Sequence, residues 1–298
     1  MKNTSNNIKT HHTAIAQAIL RVSSPDTIAS INSNEVFETS RVAGLMAVKR
    51  TGDTIPDCHN FPIDYAEVTH RIEGLDIIIE VEVQAISKTG ITMEAMHGAS
   101  VAVLTVYDRL KKIDKGMEIV GIKLIKTKGG KDQYTDNPSK PVKTAVLVCS
   151  DSIAAGSKED FSGKAIIDRL ENLKVELTDY SIIPDEVTVI QNKVQSLCDQ
   201  QTDLIIITGG TGLSDRDVTP EAIRPMLDRE IPGIAEAIRN YGQEHMPYAM
   251  LSRSMAGLRG RTMILALPGS TRGAAESMDA IFPYLLHYFK VMEHAPHD

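Results

Sequence analysis

The sequence of 298 residues contains no tryptophan, and aromatic residues make up only 4% of it. Base stacking on aromatic side chains is therefore not expected. Basic residues are not in excess either, because the first 140 residues carry 17 Lys and Arg against 17 Asp and Glu, and the remainder carries 15 against 22. With a formal net charge of -7, the chain lacks the positive surface that nucleic-acid binding requires.

Long apolar runs are also missing. None approaches the roughly 20 residues of a membrane-spanning helix, and the first twelve residues are polar, without the apolar core of a secretory signal. The three cysteines, Cys58, Cys149 and Cys198, are odd in number and widely spaced, which predicts neither a disulfide framework nor a zinc site. We therefore expect a cytoplasmic protein without membrane contact.

The remaining composition, 42% hydrophobic and 24% charged, is that of a globular protein, and the length predicts two domains. Residues 128–140 are rich in turn formers and show no hydrophobic periodicity. We predict a linker there, with a boundary near residue 138. The expected domains are residues 1–138 and 139–298.

The first half mixes helices with strands that pair as a hairpin. Ser24-Pro25-Asp26 signals a helix start, and Glu73-Gly74 separates two strand-like runs. The predicted elements are a strand Thr13–Val22, helices from Ser24 to Ile31 and Val36–Lys49, a hairpin Ile63–Ile72 with Asp76–Ile86, a helix Thr92–Ile113 and a strand Met117–Thr127.

Strands and helices alternate in the second half, which predicts a parallel sheet with right-handed crossovers. Ligands bind such sheets beyond the carboxyl ends of the strands. The predicted strands are Val142–Val148, Val175–Ile183, Leu204–Thr208 and Met263–Leu267, and the predicted helices are Gly163–Leu173, Glu186–Gln200, about 220–229, 233–244, and one long helix from Ser270 to about Glu293.

The stretch Leu204–Pro220 is the most distinctive part of the chain. Its apolar run ends at Thr208 in a turn with three glycines, and the turn continues past Arg216 and Asp217 into a helix start with Thr219 as N-cap. Strand, glycine turn and helix N-terminus hold phosphate in doubly wound sheets. A plain tight turn explains the glycines equally well, but the adjacent charged pair favours an anionic ligand.

The second half resembles the molybdopterin adenylyltransferase family, which is MogA-like. The resemblance rests on Thr208–Gly212, Arg216–Ala222, Leu267–Ser270, Ser150-Asp151, Asp160–Gly163 and Ile183–Glu186. It implies an α/β doubly wound fold with a mostly parallel sheet. It also implies transfer of AMP from ATP to molybdopterin, with release of pyrophosphate and a need for Mg²⁺.

In this resemblance, Asp217 is a catalytic residue, and Asp217 and Asp185 are the implied magnesium ligands. A capping or surface role is the alternative for either aspartate alone. The positions that match the nucleotide-binding and pterin-binding residues are Ser150, Asp151, Ser162, Gly163, Asp185, Thr208, Gly209, Gly210, Thr211, Gly212, Ser214, Arg216, Pro268, Gly269 and Ser270.

In the first half, Asp108 and Lys111 are three residues apart and share one helix face. Cations beside a carboxylate and an imidazole suit acid and base catalysis on a phosphorylated substrate. A solvated ion pair is the alternative for Asp108 and Lys111, and a structural loop position is the alternative for His59.

The first half resembles the cyclic pyranopterin monophosphate synthase family, known as MoaC, through Arg41–Thr51, Ile55–His59, Met93–Ala95, Tyr107–Lys111 and Gly129–Lys131. The resemblance implies an α+β ferredoxin-like domain that converts 3′,8-cyclo-7,8-dihydro-GTP to cyclic pyranopterin monophosphate with loss of pyrophosphate. It makes Asp108 and Lys111 the acid/base pair. The implied substrate contacts are Lys49, Arg50, Asp57, Cys58, His59, Met93, Glu94, Lys115 and Lys131.

Three positions depart from that family's pattern. Asn60 and Asp132 replace a proline and a serine, and Ser33 stands where the resemblance places a catalytic lysine. We therefore expect the first domain to bind its substrate but to turn it over weakly.

Both resemblances belong to molybdenum cofactor biosynthesis, so a bifunctional enzyme is the main hypothesis. The families imply a homo-oligomer, either a trimer or a hexamer, that acts on the cyclised GTP derivative, molybdopterin and Mg-ATP. Two alternatives are a scaffold whose domains bind pterin intermediates without turnover and a nucleotide-binding regulator.

Overall fold

The computed structural model describes residues 1, 3–31, 33–130 and 138–293. The chain divides into two compact units, Met1–Tyr134 and Thr135–Asp298. Most of the predicted linker lies outside the described residues, so the boundary near residue 138 remains a prediction. Within the described part of the chain, no helix is long and apolar enough to cross a membrane.

The first unit contains a four-stranded antiparallel sheet in the order β2-β3-β1-β4. Its strands are β1 (Thr10–Arg21), β2 (Tyr65–Glu73), β3 (Asp76–Ser87) and β4 (Glu118–Gly129). With one long helix after β1 and another after β3, the β-α-β-β-α-β order is ferredoxin-like. The predicted α+β ferredoxin-like fold is confirmed.

Small residues bring the helices of the first unit close together. These helices are α1 (Pro25–Ser30), α2 (Ser33–Lys49), α3 (Thr51–Thr54) and α4 (Thr92–Leu110). A Cβ at Gly98 of α4 would lie 2.6 Å from Cγ2 of Val48 in α2, and the Ser40 hydroxyl donates to the Ala102 carbonyl at 2.9 Å. The end of α2 therefore lies beside the start of α4, and the two helices run antiparallel.

The second unit contains a six-stranded sheet in the order β6-β5-β7-β10-β9-β8. Its strands are β5 (Val142–Cys149), β6 (Val175–Ile183), β7 (Leu204–Thr208), β8 (Arg229–Glu230), β9 (Met255–Arg259) and β10 (Thr262–Leu267). The first three strands and β10 are parallel, and β9 is antiparallel to β10 and β8. The predicted doubly wound, mostly parallel sheet is confirmed.

The helices of the second unit are α5 (Asp151–Ala154), α6 (Ser162–Leu170), α7 (Val187–Asp199), α8 (Thr219–Ile223), α9 (Pro232–His245), α10 (Thr271–Ile281) and α11 (His287–Met292). The prediction of one long helix from Ser270 to about Glu293 is wrong. Pro283 lacks the amide that helix continuation needs, so α10 ends at Ile281 and α11 follows a 3₁₀ turn.

A topological switch point lies at the centre of this sheet. The strands β6 and β7 flank β5 on opposite sides, so the chain leaves β5 in one direction and β7 in the other. The loops after such strands open a crevice at their carboxyl ends. The turns after Cys149 and Thr208 lie at this crevice.

Candidate functional sites

Two glycines shape the turn after β7. Gly209 and Gly210 have φ values of 104° and 62°, which side chains rarely adopt. A Cβ would lie 2.1 Å from the Cys149 carbonyl oxygen at Gly209 and 2.3 Å from Thr219 Oγ1 at Gly210. The turn therefore packs directly against the end of β5 and the start of α8.

Thr219 locks this turn, and its prediction as an N-cap is wrong. Val218 occupies the N-cap position and Thr219 is the first helical residue. The Thr219 hydroxyl donates to the Gly209 carbonyl at 2.9 Å, and its amide donates to the Gly210 carbonyl at 3.0 Å. The buried Thr219 thus provides hydrogen bonds to the carbonyl groups of both glycines and fixes the turn against the start of α8.

Asp217 lies on the same turn. Its Oδ2 accepts hydrogen bonds from the Ser214 amide at 2.9 Å and the Ser214 hydroxyl at 2.6 Å. Burial opposes ionisation of Asp217, but these bonds and one from the Gly212 amide outweigh it and lower the pKa of the carboxyl group. Asp217 is therefore an anion at neutral pH.

Two further carboxylates, Asp151 and Asp185, lie after the carboxyl ends of β5 and β6. The Asp151 amide donates to Asp185 Oδ2 at 3.2 Å, the Asp185 amide donates to Asp151 Oδ1 at 3.1 Å, and Arg216 pairs with Asp151. Asp185 Oδ1 is buried without a hydrogen-bond partner. Burial raises the pKa of Asp185, and the charges of Asp151 and Asp217 add to this effect.

The two predicted magnesium ligands flank the glycine turn. A Cβ at Gly210 would lie 2.9 Å from Asp185 Oδ1, and one at Gly212 would lie 2.9 Å from Asp217 Oδ2. Mg²⁺ prefers one or two carboxylates, with water and phosphate as its other ligands. Within the described ranges, no group of three or more His, Cys, Asp or Glu side chains could hold a metal by itself. The donors fit a magnesium ion that arrives with a phosphorylated ligand.

A pocket of about 730 Å³ opens beside the turn. Its walls are the glycine turn, the start of α10, the helix α9 and the 3₁₀ segment Pro247–Leu251. Ser270 is the N-cap of α10, because its hydroxyl accepts from the Gly273 amide at 3.1 Å. The predicted residues in the lining are Gly210, Thr211, Gly212, Asp217, Pro268, Gly269 and Ser270.

The sequence motifs did not identify six polar residues of the lining, which are Arg239, Tyr248, Ser252, Arg272, Glu276 and Ser277. Glu276 follows Ser270 and Gly273 at intervals of three residues, so helical periodicity could have identified it. Arg239 and Tyr248 belong to no motif of the sequence. Their place in the pocket depends on how α9 packs against α10.

Several predicted residues stabilise the loops. Ser162 and Gly163 are buried, and their hydroxyl and amide donate to Asp160 Oδ1 at 3.0 and 2.9 Å. The Thr208 hydroxyl donates to the Pro268 carbonyl at 2.8 Å and joins two of the turns. Ser150 accepts from the Ile153 amide and caps α5.

Part of the predicted first-domain site gathers at the start of α4. Lys49 ends α2 and Arg50 follows it, at the end of α2 that lies beside the start of α4. Met93 and Glu94 lie in the first turn of α4. Glu94 is buried, its Oε2 has no hydrogen-bond partner, and burial raises its pKa. Burial raises the pKa of the Cys58 thiol, and the charge of Glu94 adds to this effect.

The other predicted contact residues of the first domain lie in loops. Cys58 and His59 lie on the loop between α3 and β2. Asp57 forms an exposed ion pair with the amino group of Met1 at 3.1 Å. Lys131 lies outside the described residues.

The predicted acid/base pair lies at the other end of α4. Asp108 and Lys111 form an exposed ion pair at 2.5 Å, which lowers the pKa of Asp108 and raises that of Lys111. Lys115 follows and is exposed. Since Asp108 is 14 residues beyond Glu94, the two backbones are about 21 Å apart along the helix. One chain alone therefore does not bring the predicted residues together.

Comparison with known proteins identifies both units. Residues 1–130 match the MoaC family, and residues 145–287 match the family described as a probable molybdopterin binding domain. The chain is thus a fusion of two domain types from molybdenum cofactor biosynthesis.

A molybdenum cofactor biosynthesis bifunctional protein of Chlorobaculum tepidum is 35% identical over 90% of this chain and 87% of its own. This chain therefore belongs to the family of bifunctional molybdenum cofactor biosynthesis proteins, and its function is in that pathway.

Single-domain relatives match each half. A molybdopterin adenylyltransferase of Helicobacter pylori is 38% identical over 46% of this chain and 80% of its own. A cyclic pyranopterin monophosphate synthase of Thermomicrobium roseum is 42% identical over 41% of this chain and 78% of its own.

Proposed function

We propose that the second unit transfers AMP from ATP to molybdopterin and releases pyrophosphate. This proposal rests on the position of Asp217, which lies on a glycine turn and lines a pocket, while the partly unsatisfied Asp185 lies beside the same turn. The adenylyltransferase relative of Helicobacter pylori supports the same activity.

The residues have distinct roles in this proposal. The amides of Gly210 and Thr211 and the start of α10 bind phosphate oxygens. Asp217 and Asp185 would hold Mg²⁺, which would neutralise phosphate charge. Catalysis is then mainly positioning and electrostatic stabilisation, as in other phosphoryl transfers.

Substitution of Asp217 tests this proposal. Asp217→Asn removes one charge with little change in volume, so we expect AMP transfer to molybdopterin to fall by about 10²-fold or more. The matched control is Asp215→Asn, because Asp215 is exposed and two residues away. Transfer is measured as Mg²⁺-dependent adenylyl-molybdopterin formation, and equal rates for the two variants would rule out the role of Asp217.

We propose that the first unit converts 3′,8-cyclo-7,8-dihydro-GTP to cyclic pyranopterin monophosphate. Asp108 and Lys111 form an ion pair that can exchange a proton with a substrate. The buried Glu94 and the half-buried Cys58 add a second polar cluster. The synthase relative of Thermomicrobium roseum supports this activity.

The separation along α4 has a structural consequence. At about 21 Å apart along α4, the backbones of Glu94 and Asp108 of one chain do not face the same reacting atoms. We propose that the protein is a homo-oligomer, a trimer or a hexamer, in which the Asp108 end of one copy meets the Glu94 end of another. We place both reactions in the cytoplasm, where all three cysteines remain free as in the structure.

A further inference from the structure

The pocket of the second unit extends along one face of α10. Ser270, Gly273, Glu276 and Ser277 all line it, and their spacing of three or four residues places them on one side of the helix. Glu276 lies six residues beyond Ser270, or about 9 Å along the axis. The pocket therefore has an anion-binding end at the helix start and a carboxylate at its far end.

Glu276 is held in place by its own helix. Its side chain is 17% exposed, and its Oε1 accepts from Arg272 Nε at 2.6 Å. Arg272 also donates to the His245 carbonyl at 3.1 Å, which anchors the guanidinium group between α10 and α9. The carboxylate thus has a fixed orientation, and each oxygen keeps lone pairs for further donors.

The other charged lining residues are engaged elsewhere. Among the described residues of the pocket wall, the carboxylates are Asp217 and Glu276. Asp217 accepts from Ser214 on the glycine turn, and Arg239 donates to the Ser254 carbonyl at 3.0 Å. Glu276 is therefore the carboxylate acceptor at the far end of the pocket.

We propose that Glu276 determines specificity by accepting hydrogen bonds from the ring N–H and the 2-amino group of a pterin. This inference rests on the proposed function of the second unit. A pterin presents these two donors side by side, whereas adenine presents one donor beside a ring-nitrogen acceptor that a carboxylate repels. The far end thus selects the pterin, and the phosphate of the same ligand extends toward the start of α10.

The test measures selectivity between two fluorescent probes in the full-length protein. The probes are 6-carboxypterin and 6-carboxylumazine, which carries an oxo group in place of the 2-amino group. We expect the wild type to prefer the pterin by about 10-fold or more, the scale of a hydrogen bond to a charged group. Glu276→Gln should remove this preference, Glu276→Asp should restore part of it, and ATP affinity should stay unchanged in both.

The matched control is Glu236→Gln on the exposed side of α9, which should keep the wild-type preference. The inference is overturned if a folded Glu276→Gln protein keeps the full preference. It is also overturned, with the proposed function intact, if the wild type adenylylates molybdopterin yet binds both probes equally. If the wild type neither binds pterins nor adenylylates molybdopterin, the proposed function itself fails and the inference with it.

Discussion

Gly210 occupies a conformation and a space that other residues cannot share. With φ at 62°, an added Cβ would lie 2.3 Å from Thr219 Oγ1 and 2.9 Å from Asp185 Oδ1. Gly210→Ala should therefore displace both groups and weaken ATP binding by about 10-fold or more, the scale of losing a charge-assisted bond. Calorimetric titration with Mg-ATP measures this change.

Gly260 provides a matched control for that substitution. Its φ is 58°, but an added Cβ would meet nothing within 4 Å. Gly260→Ala should cost only the left-handed backbone penalty of about 1–2 kcal/mol in unfolding free energy, with unchanged ATP affinity. Equal ATP affinities for the two variants would contradict a steric role of Gly210.

The catalytic contribution of a lysine at position 33 can be tested directly. Ser33 begins α2, and nearby Glu35 pairs with Arg109 at 3.7 Å, so this end of α2 lies beside the end of α4 that carries Asp108. A lysine adds a cation and proton donor that serine lacks. We expect Ser33→Lys to raise cyclic pyranopterin monophosphate formation by about 10-fold, the low end of the range for one acid or base group.

Product formation by the wild type, Ser33→Lys and Asp108→Asn separates the alternatives for the first unit. Asp108→Asn should abolish the activity. A fully active wild type that Ser33→Lys does not improve would show that the lysine is dispensable. Substrate binding without turnover by all three proteins would favour the scaffold hypothesis for this unit.

Motif residues at the glycine turn could be predicted individually, because strand-end glycines and a following charged pair leave a strong local pattern. The sequence could not predict which of these residues contact a ligand and which stabilise a loop. Ser162 and Gly163 carry the motif, yet they bind Asp160. Glu276 carries no motif, yet it lines the pocket. Tertiary packing decides between these roles.

At the scale of elements, β2 packs against α2 through a half-buried histidine, His70. The His70 ring stacks on Phe37 with centroids 4.7 Å apart, and its Nε2 lies 2.9 Å from the Ser40 hydroxyl. Burial lowers the pKa of His70 from 6.5 to about 4, with smaller opposing effects from Glu38 and Arg41. The folded first unit therefore holds this imidazole neutral.

This pKa shift predicts a pH dependence of stability. Between pH 6.5 and about 4, the unfolded chain binds a proton at His70 that the folded chain does not. The contribution of His70 to the free energy of unfolding is thus complete above pH 6.5 and is lost as the pH falls through this window. In thermal melts recorded from pH 7 to 4.5, the melting temperature of His70→Gln should fall less steeply with decreasing pH than that of the wild type.

The control for this effect is His11→Gln, because His11 is exposed on β1 of the same unit. It should keep the wild-type slope. A slope that His70→Gln leaves unchanged would exclude His70 as its source.

Most elements followed from local patterns, and the failures have physical reasons. β6 was predicted with its observed bounds, Val175–Ile183. The strands β8 and β9 were missed, because β8 has two residues and β9 returns to β10 through a tight turn at Gly260. A short strand stabilised by pairing rather than by its own sequence carries little periodic signal.

At the scale of the whole molecule, the two domain types could be predicted from sequence, but the distance between the two parts of the predicted first-domain site could not. Motif matching assigns Glu94 and Asp108 to one site, whereas α4 holds them about 21 Å apart. The length of α4 is the basis for our proposal that each site takes residues from two copies. The predicted linker, with its boundary near residue 138, remains a separate prediction.

Subunit complementation tests this arrangement. Asp108→Asn and Glu94→Gln chains should each be nearly inactive alone, since every site lacks one group. If each site takes Asp108 from one copy and Glu94 from another, co-expression of the two variants at equal amounts should restore activity. Random pairing leaves both native groups in about one quarter of the sites of a symmetric oligomer. The measurement is cyclic pyranopterin monophosphate formation by the purified mixed oligomer.

The matched control is co-expression of Asp108→Asn with the double variant Asp108→Asn/Glu94→Gln, in which every site lacks Asp108. No activity should return in that mixture. If Asp108 and Glu94 instead served one site within a single chain, every chain in the test mixture would still lack one of them. The mixture would then stay as inactive as its control, and the proposed sharing of the site between copies would be wrong.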